Sequence, residues 1–196
     1  GLDSKAVLTG DIMDVLLEWA INKSQSSKIV EELKLNNTIY FLATLHRPYT
    51  VDDPNLLRKL IKEFGKLSAK VIFPVHPRTK KIIHSNNIEI PDNIELINPV
   101  GYLDFIKLQL NANKIITDSG GIQKEAYLLK KPCITLRPET EWVETVESGW
   151  NLLLNPITEN NFANHIDTFF PLDIHNPIFG DGVAHKITKI IHEFSY

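Results

Sequence analysis

Cysteine is nearly missing from this chain: Cys133 is the only one in 196 residues. No disulfide can form within the chain, so the fold must be held by a packed core. The shortage fits a reducing compartment, and the cytoplasm is the expected location. No cluster of cysteine and histidine is spaced as a metal site, and no metal is expected. No apolar run approaches the length of a membrane-spanning helix, so no membrane partner is expected either. The N-terminus lacks a signal-peptide pattern, and Leu2 to Leu8 reads as the tail of something upstream. Positive charge is not in surplus: 21 Lys and Arg face 24 Asp and Glu, a net charge of −3. That balance leaves no electrostatic footprint for nucleic acid. Internal repeats and low-complexity segments are absent too.

What remains is an ordinary globular composition, 43% hydrophobic and 23% charged, enough for a full core. The length suits one large domain or one lobe of a larger protein. Strand-like and helix-like patterns alternate. A helical pattern runs through Ile12, Val15, Leu16 and Trp19, and Ser24 to Leu35 reads as a second helix ended by Asn36-Asn37. Thr38 to Leu45 is a strand, nearly continuous in apolar residues, and His46-Arg47-Pro48 stops it. Asp53-Pro54 opens a helix with Leu56, Leu57, Leu60, Ile61 and Phe64 at helical spacing. Lys70 to Val75 is the next strand, ended by His76-Pro77-Arg78, and a helix of about two turns follows. Ile94 to Ile97 is a short strand and Tyr102 to Leu110 a helix. Trp150 to Leu154 is a strand, and Asn161 to Phe170 and His185 to Phe194 are closing helices around an irregular Pro171 to Gly182. Such alternation predicts a three-layer, Rossmann-like α/β lobe with a parallel sheet of about six strands covered on both faces.

The densest stretch is Ile116 to Gly149. A strand of type Lys114 to Thr117 is broken by Asp118-Ser119-Gly120-Gly121, and Ile122 to Leu129 then reads as a helix. Strand, double glycine and helix is the geometry in which unpaired N–H groups meet an anion, with Ser119 at the N-cap. A further strand, Cys133 to Leu136, ends at Arg137, and Glu139-Thr140-Glu141-Trp142 leads into a short helix ending near Gly149. In parallel sheets ligands bind beyond the carboxyl ends of the strands. Five strand ends carry such chemistry: His46-Arg47, His76-Pro77-Arg78, Tyr102 to Phe105, Ser119 to Gly121, and Arg137. Each also has a plainer reading. Ser-Gly-Gly makes tight turns, Arg137 suits a surface ion pair, Phe105 suits a helix core, His76 suits a structural role, and Lys80-Lys81 suit a solvated face.

Taken together, Asp-Ser-Gly-Gly-Ile-Gln-Lys-Glu-Ala (118–126), Lys-Pro-Cys-Ile-Thr-Leu-Arg (131–137) and Thr-Glu-Trp-Val-Glu-Thr-Val-Glu-Ser-Gly (140–149) resemble the signature of the non-hydrolysing UDP-N-acetylglucosamine 2-epimerases. Ala-Thr-Leu-His-Arg-Pro-Tyr-Thr-Val-Asp-Asp (43–53), Phe-Pro-Val-His-Pro-Arg-Thr (73–79) and Pro-Val-Gly-Tyr-Leu-Asp-Phe (99–105) match further blocks. The resemblance runs from about Thr9 to the C-terminus, and it implies the second half of a two-lobe enzyme of the B-type glycosyltransferase fold. Residues 1–196 would be the C-terminal, nucleotide-binding lobe, with 1–20 the interlobe connection and an N-terminal lobe not in this chain. By position, Ser119, Gly120 and Gly121 would hold the diphosphate of a UDP-sugar, and Glu125 would accept from the ribose hydroxyls. Phe105 would stack on uracil, Arg137 and Glu141 would lie near phosphate and sugar, and His46 with Arg47 would face the departing diphosphate, His46 being the catalytic candidate.

The implied chemistry inverts C2 of a UDP-linked N-acetylhexosamine by elimination and re-addition of UDP, with no cofactor, for cell-surface polysaccharide precursors. The full-length enzyme would be a homodimer, and this lobe alone would be inactive. Three positions depart from the family pattern: Trp142 replaces a frequent arginine, Val143 a usual proline, and Val100 a residue that is polar in some members. Other readings stay open: a hydrolysing relative, the donor lobe of a B-type glycosyltransferase, or a non-catalytic UDP-binding module.

Overall fold

The computed structural model describes residues 6–193. Most of Leu2 to Leu8, and the end of the closing helix at Phe194, lie outside the described residues. In chain order the elements are α1 (Met13–Ser24), α2 (Ile29–Glu32), β1 (Tyr40–Thr44), α3 (Pro48–Val51), α4 (Pro54–Phe64), β2 (Lys70–Pro74), α5 (Pro77–Ser85) and β3 (Ile94–Ile97). There follow α6 (Tyr102–Asn111), β4 (Lys114–Thr117), α7 (Gly120–Leu128), β5 (Cys133–Leu136), α8 (Val143–Glu147), β6 (Asn151–Leu154), α9 (Phe162–Thr168) and α10 (Val183–Glu193).

The six strands form one parallel sheet in the order β3-β2-β1-β4-β5-β6. The order reverses between β1 and β4, where Thr44 pairs with Thr117. At such a switch point the loops after the two neighbouring strands run in opposite directions and leave a crevice. Strand residues alternate between faces. Phe41, Ala43, Val71, Phe73, Ile116 and Ile134 join the core under α4, α5 and α9. Tyr40, Leu42, Ile72, Ile115 and Cys133 join the core under α2, α6 and α7. These are the expected three layers of a Rossmann-like lobe.

Two helices differ from their sequence patterns. The apolar stripe of α1, Ile12, Val15, Leu16 and Trp19, is exposed, and the helix buries Leu17 and Ala20 against Ile106 and Leu129 instead. The helix predicted over Ser24 to Leu35 shrinks to the single turn of α2. Serine hydroxyls compete for the backbone here: Ser24 Oγ donates to the Ile21 carbonyl at 2.8 Å, and Ser26 Oγ to that of Lys23 at 3.0 Å. Ser27 Oγ donates to Asp104 Oδ1 at 2.6 Å, tying the break to α6. Lys34 (φ +53°) and Asn37 (φ +62°) then turn the chain through left-handed conformations.

The core gives a direct ranking of substitutions. Leu42 is fully buried at the sheet centre, and Leu42→Ala should lower the unfolding free energy by about 2–5 kcal/mol. Tyr40, also fully buried, donates its hydroxyl to the Leu108 carbonyl at 2.6 Å, which the Ala112 amide also reaches. Tyr40→Phe should therefore cost only about 1 kcal/mol. Urea unfolding of both variants checks the order.

Candidate functional site

Asp118 lies at the switch point, fully buried at the end of β4. Its carboxylate crosses to the loop after β1. It accepts the backbone N–H of His46 at 3.1 Å and that of Arg47 at 3.0 Å. The His46 ring nitrogen Nδ1 is 3.1 Å from Asp118 Oδ1, and its side chain is 53% exposed. With Nδ1–H donating to the carboxylate, Nε2 is the nitrogen turned to solvent, the arrangement that fixes an imidazole tautomer. Arg47 Nε donates to the Asp118 carbonyl at 3.1 Å, which points the guanidinium across the crevice.

Helix α7 begins at Gly120, two residues before its predicted start, with Ser119 extended at the N-cap. The Ser119 hydroxyl makes no capping bond; its backbone N–H donates to Thr117 Oγ1 at 3.0 Å. The first-turn N–H groups of α7 therefore lack a side-chain cap from Ser119, and the helix dipole adds partial positive charge there. The Glu141 carboxylate occupies this end. It bonds Arg137 Nη1, lies 3.9 Å from Arg47 Nη2, and would collide with any methyl group at Gly120. Its own backbone N–H, Arg137 and Arg47 outweigh the opposing effect of partial burial, and its pKa lies below the ordinary carboxylate value. Ser119, Gly120, Arg47, Arg137 and Glu141 are thus brought together at one spot. Gly121 is exposed beside them, 3.9 Å from Ser119 Oγ to the position a Cβ would take.

One turn further along α7, Glu125 is buried. It accepts from Gln109 Nε2 at 2.7 Å and from the Tyr102 hydroxyl at 3.2 Å, both on α6. Burial raises its pKa, and these two bonds offset only part of the rise. Burial and the charge of Glu125 together push the Tyr102 phenol up to about 12. Phe105, on the same helix, packs half-buried against the α6–α7 core, so its plainer reading as core holds for much of the ring.

A buried polar network supports the loop after β5. Thr140 Oγ1 donates to Gln123 Oε1 at 2.6 Å, Thr135 Oγ1 to Asn151 Oδ1 at 2.8 Å, and Asn151 Nδ2 to Thr145 Oγ1 at 2.9 Å. Trp142 stands between the Lys124 ammonium, 4.3 Å above its ring, and the edge of Phe179, with centroids 5.9 Å apart.

Arg78, after β2, pairs with Asp52, and His76 beside it bonds its own helix. Its Nδ1 accepts the Arg78 N–H at 3.2 Å and caps α5, a structural role. Cys133 is buried on β5, and burial pushes its thiol up to about 12, so it is not a thiolate at neutral pH. Among the described residues, no three His, Cys, Asp or Glu side chains gather as a metal site. Among the described residues also, no helix is long and apolar enough to cross a membrane.

Sequence reasoning gave no role to four participants. Asp118 was visible as a lone carboxylate ending an apolar strand. Tyr102 and Gln109 stand seven residues apart, on one face of a helix, and so point a polar pair at one neighbour. Trp142 showed only as a departure from a pattern.

The geometry defines a Rossmann-like lobe in which Arg47, Arg137 and the start of α7 meet around the Glu141 carboxylate at the switch point. The family model for UDP-N-acetylglucosamine 2-epimerase matches residues 2–192, and the chain belongs to that family. A UDP-N-acetylglucosamine 2-epimerase homolog of Methanococcus maripaludis is 45% identical over 97% of this chain and 56% of its own length. The UDP-2,3-diacetamido-2,3-dideoxy-D-glucuronate 2-epimerase of Pseudomonas aeruginosa is 36% identical over 79% of this chain and 44% of its own. The crystal structure of the Methanocaldococcus jannaschii UDP-GlcNAc 2-epimerase in complex with UDP-GlcNAc and UDP superposes with a TM-score of 0.82 at 31% identity, over 97% of this chain and 56% of that one. The chain spans about half the length of the relatives it matches.

Two outcomes are expected from this geometry. Asp118→Asn replaces one accepting oxygen with an NH2 donor that must face the donors of His46 and Arg47 in a buried site. It should cost about 1–3 kcal/mol in urea unfolding and shift the His46 and Arg47 amide resonances; an unchanged stability would show that the loop is held by other contacts. Glu125 has a folded pKa above its unfolded one. Its penalty is therefore absent at low pH, grows as pH rises from the ordinary value of 4.5, and is full above the folded pKa. Glu125→Gln should be the more stable protein near neutral pH, and its advantage should shrink on acidification. Unfolding curves of both proteins across that range measure it, and an advantage that grows toward acid would contradict the raised pKa.

Proposed function

We propose that this chain is the C-terminal, UDP-holding lobe of a two-lobe epimerase. The enzyme interconverts UDP-GlcNAc and UDP-ManNAc, or the C2 epimers of a related UDP-acetamido sugar, for cell-surface polysaccharide precursors in the cytoplasm. The observation that carries this reading is the convergence of Arg47, Arg137 and the uncapped start of α7 on one spot at the switch point. Gly120 lets an anionic group approach this backbone closely: the space a Cβ would take there holds the Glu141 carboxylate. Family membership, and the UDP and UDP-GlcNAc bound to the Methanocaldococcus jannaschii relative, support the choice of nucleotide.

In this reading the diphosphate lies over Ser119, Gly120 and Gly121, between the two arginines. Glu125 accepts from the ribose hydroxyls, Phe105 packs on uracil, and Glu141 sits on the sugar side. The reaction removes the C2 proton as the C1–O bond to UDP breaks. The pair of electrons left at C2 becomes the C1–C2 double bond of an unsaturated sugar, and UDP carries away the C1–O electrons. Re-addition of UDP at C1 with a proton delivered to the other face of C2 gives the epimer. Backbone N–H groups and arginines that stabilise charge growing on the leaving diphosphate lower this barrier. His46 Nε2, free because Nδ1 faces Asp118, is placed to exchange a proton at the crevice.

The C2 base belongs to the other lobe. Glu125 and Glu141 already have nucleotide-side partners, and closing a cleft against water needs a second wall. Residues 1–20 are the connection to that lobe, and the whole enzyme is a homodimer. The 196-residue chain alone should bind UDP and leave the barrier at C2 untouched.

Titration calorimetry with UDP and uridine tests the nucleotide half of the proposal. Glu125→Ala should weaken UDP binding by about 1–3 kcal/mol through lost ribose bonds; equal binding would remove Glu125 from the ribose site. The catalytic half is read in deuterated water with UDP-GlcNAc. The lobe should give no deuterium at C2 and no manno product, whereas the protein with both lobes should give both. Label incorporated by the lobe would place a base within this chain, His46 first.

A further inference from the structure

Trp142 has an unmet hydrogen-bonding need at the centre of this site. Its indole Nε1 is buried and has no acceptor, and it lies 3.2 Å from the point a Cβ on Gly120 would occupy. The other two tryptophans do not share this condition. Trp150 Nε1 donates to the Ile174 carbonyl at 2.9 Å, and Trp19 is half exposed on α1. A buried N–H without a partner is rare in a folded chain and calls for a reason. Free rotation is not available to Trp142: Lys124, itself paired with Asp11 at 2.5 Å, covers one side of the ring, and Phe179 abuts it edge-on. Its backbone N–H is also fixed, donating to Thr140 Oγ1 at 3.1 Å. The indole edge is therefore held toward Gly120 by a clamp that uses none of its hydrogen-bonding capacity.

The neighbouring carboxylate supplies the rest of the argument. Glu141 precedes Trp142 in sequence and fills the space over Gly120, engaging Arg137 and facing Arg47. In charge and in partners it does what a bound anion would do, yet it does not satisfy the indole. Its side chain is 44% exposed, free to swing out toward solvent.

We propose that Trp142 is a ligand-binding residue whose indole N–H donates to an oxygen of the diphosphate, and that Glu141 is an internal anion holding that position until the diphosphate displaces it. This rests on the reading of the crevice as a UDP site. Arg47 and Arg137 then pass from one anion to another, the single charge of the carboxylate giving way to the larger charge of the diphosphate.

The test reads the indole directly. In the ¹H–¹⁵N spectrum of the 196-residue chain, UDP should move the Trp142 indole resonance downfield and leave those of Trp19 and Trp150 in place. Uridine, without the diphosphate, should move none of them. Trp142→Phe, which keeps the ring packing, should bind UDP about tenfold more weakly, the loss of one hydrogen bond to a charged acceptor. Glu141→Gln, which removes the competing charge, should bind UDP more tightly than the parent. UDP binding with the Trp142 indole unmoved, or equal affinity of parent and Trp142→Phe, would overturn the inference and leave the UDP site standing. No UDP binding by either the parent or Glu141→Gln would overturn both.

Discussion

The carboxylate of Asp118 spans the two strands at which the sheet reverses direction, and the rest of the site hangs from it. A fully buried charge persists only if donors surround it. Here the donors are the backbone of His46 and Arg47 together with the His46 ring. The loop after β1 is consequently set in register with the turn before α7. That register brings Arg47 to the same place as Arg137, which arrives from β5, and lets both face one carboxylate. Without it, the loops after β1, β4 and β5 would be three separate surface features.

Two glutamates near the start of α7 respond to their surroundings in opposite ways. Glu125 is buried beside neutral donors, and its ionised form is disfavoured. Glu141 is half exposed between two guanidinium groups, and its ionised form is favoured. The distinction follows from what each faces: desolvation is the largest single influence on both, but Gln109 and Tyr102 offset only part of it at Glu125, whereas at Glu141 its own backbone N–H and the Arg137 and Arg47 guanidinium groups together outweigh it. A helix N-terminus favours negative charge, but the effect fades within the first turn. Glu141 sits against that turn and Glu125 beyond it. One short helix thus has an anionic group from the loop after β5 at its start and carries, one turn on, a carboxylate that gains from hydroxyl donors arriving beside it.

The sheet was legible because strands buried on both faces are continuous apolar runs. Ile94–Ile97, Lys114–Thr117 and Cys133–Leu136 fall where the pattern places them. The clustering of Arg47, Ser119, Gly120 and Arg137 also followed from sequence, since parallel strands bring their carboxyl ends to one side. What sequence did not show depends on partners distant in the chain. Periodicity identified α1 as amphipathic but could not say which face would be buried. The stripe Ile12, Val15, Leu16 and Trp19 lies open, while Leu17 and Ala20 meet α6. The serines after α1 were read as helix-compatible, but their hydroxyls found nearer carbonyls. Asp118 looked like a strand terminator because its donors lie more than seventy residues earlier. The orphaned indole of Trp142 had no sequence signature, for an unmade bond is a property of three-dimensional surroundings.

The clamp on Trp142 also joins regions far apart in the sequence. Gly10, in a left-handed conformation at φ +101°, lies so close to the segment around residue 180 that a Cβ there would meet Val183 Cγ2 at 2.7 Å and the Phe179 carbonyl at 2.8 Å. The next residue, Asp11, donates its N–H to that carbonyl at 2.9 Å and pairs through its carboxylate with Lys124. Lys124 and Phe179 are the two groups that flank the indole. The crossing of these two segments therefore bears mechanically on the ring like the jaws of a vice. A pull that separates residue 10 from residue 180 would loosen the ring before it disturbed any strand of the sheet.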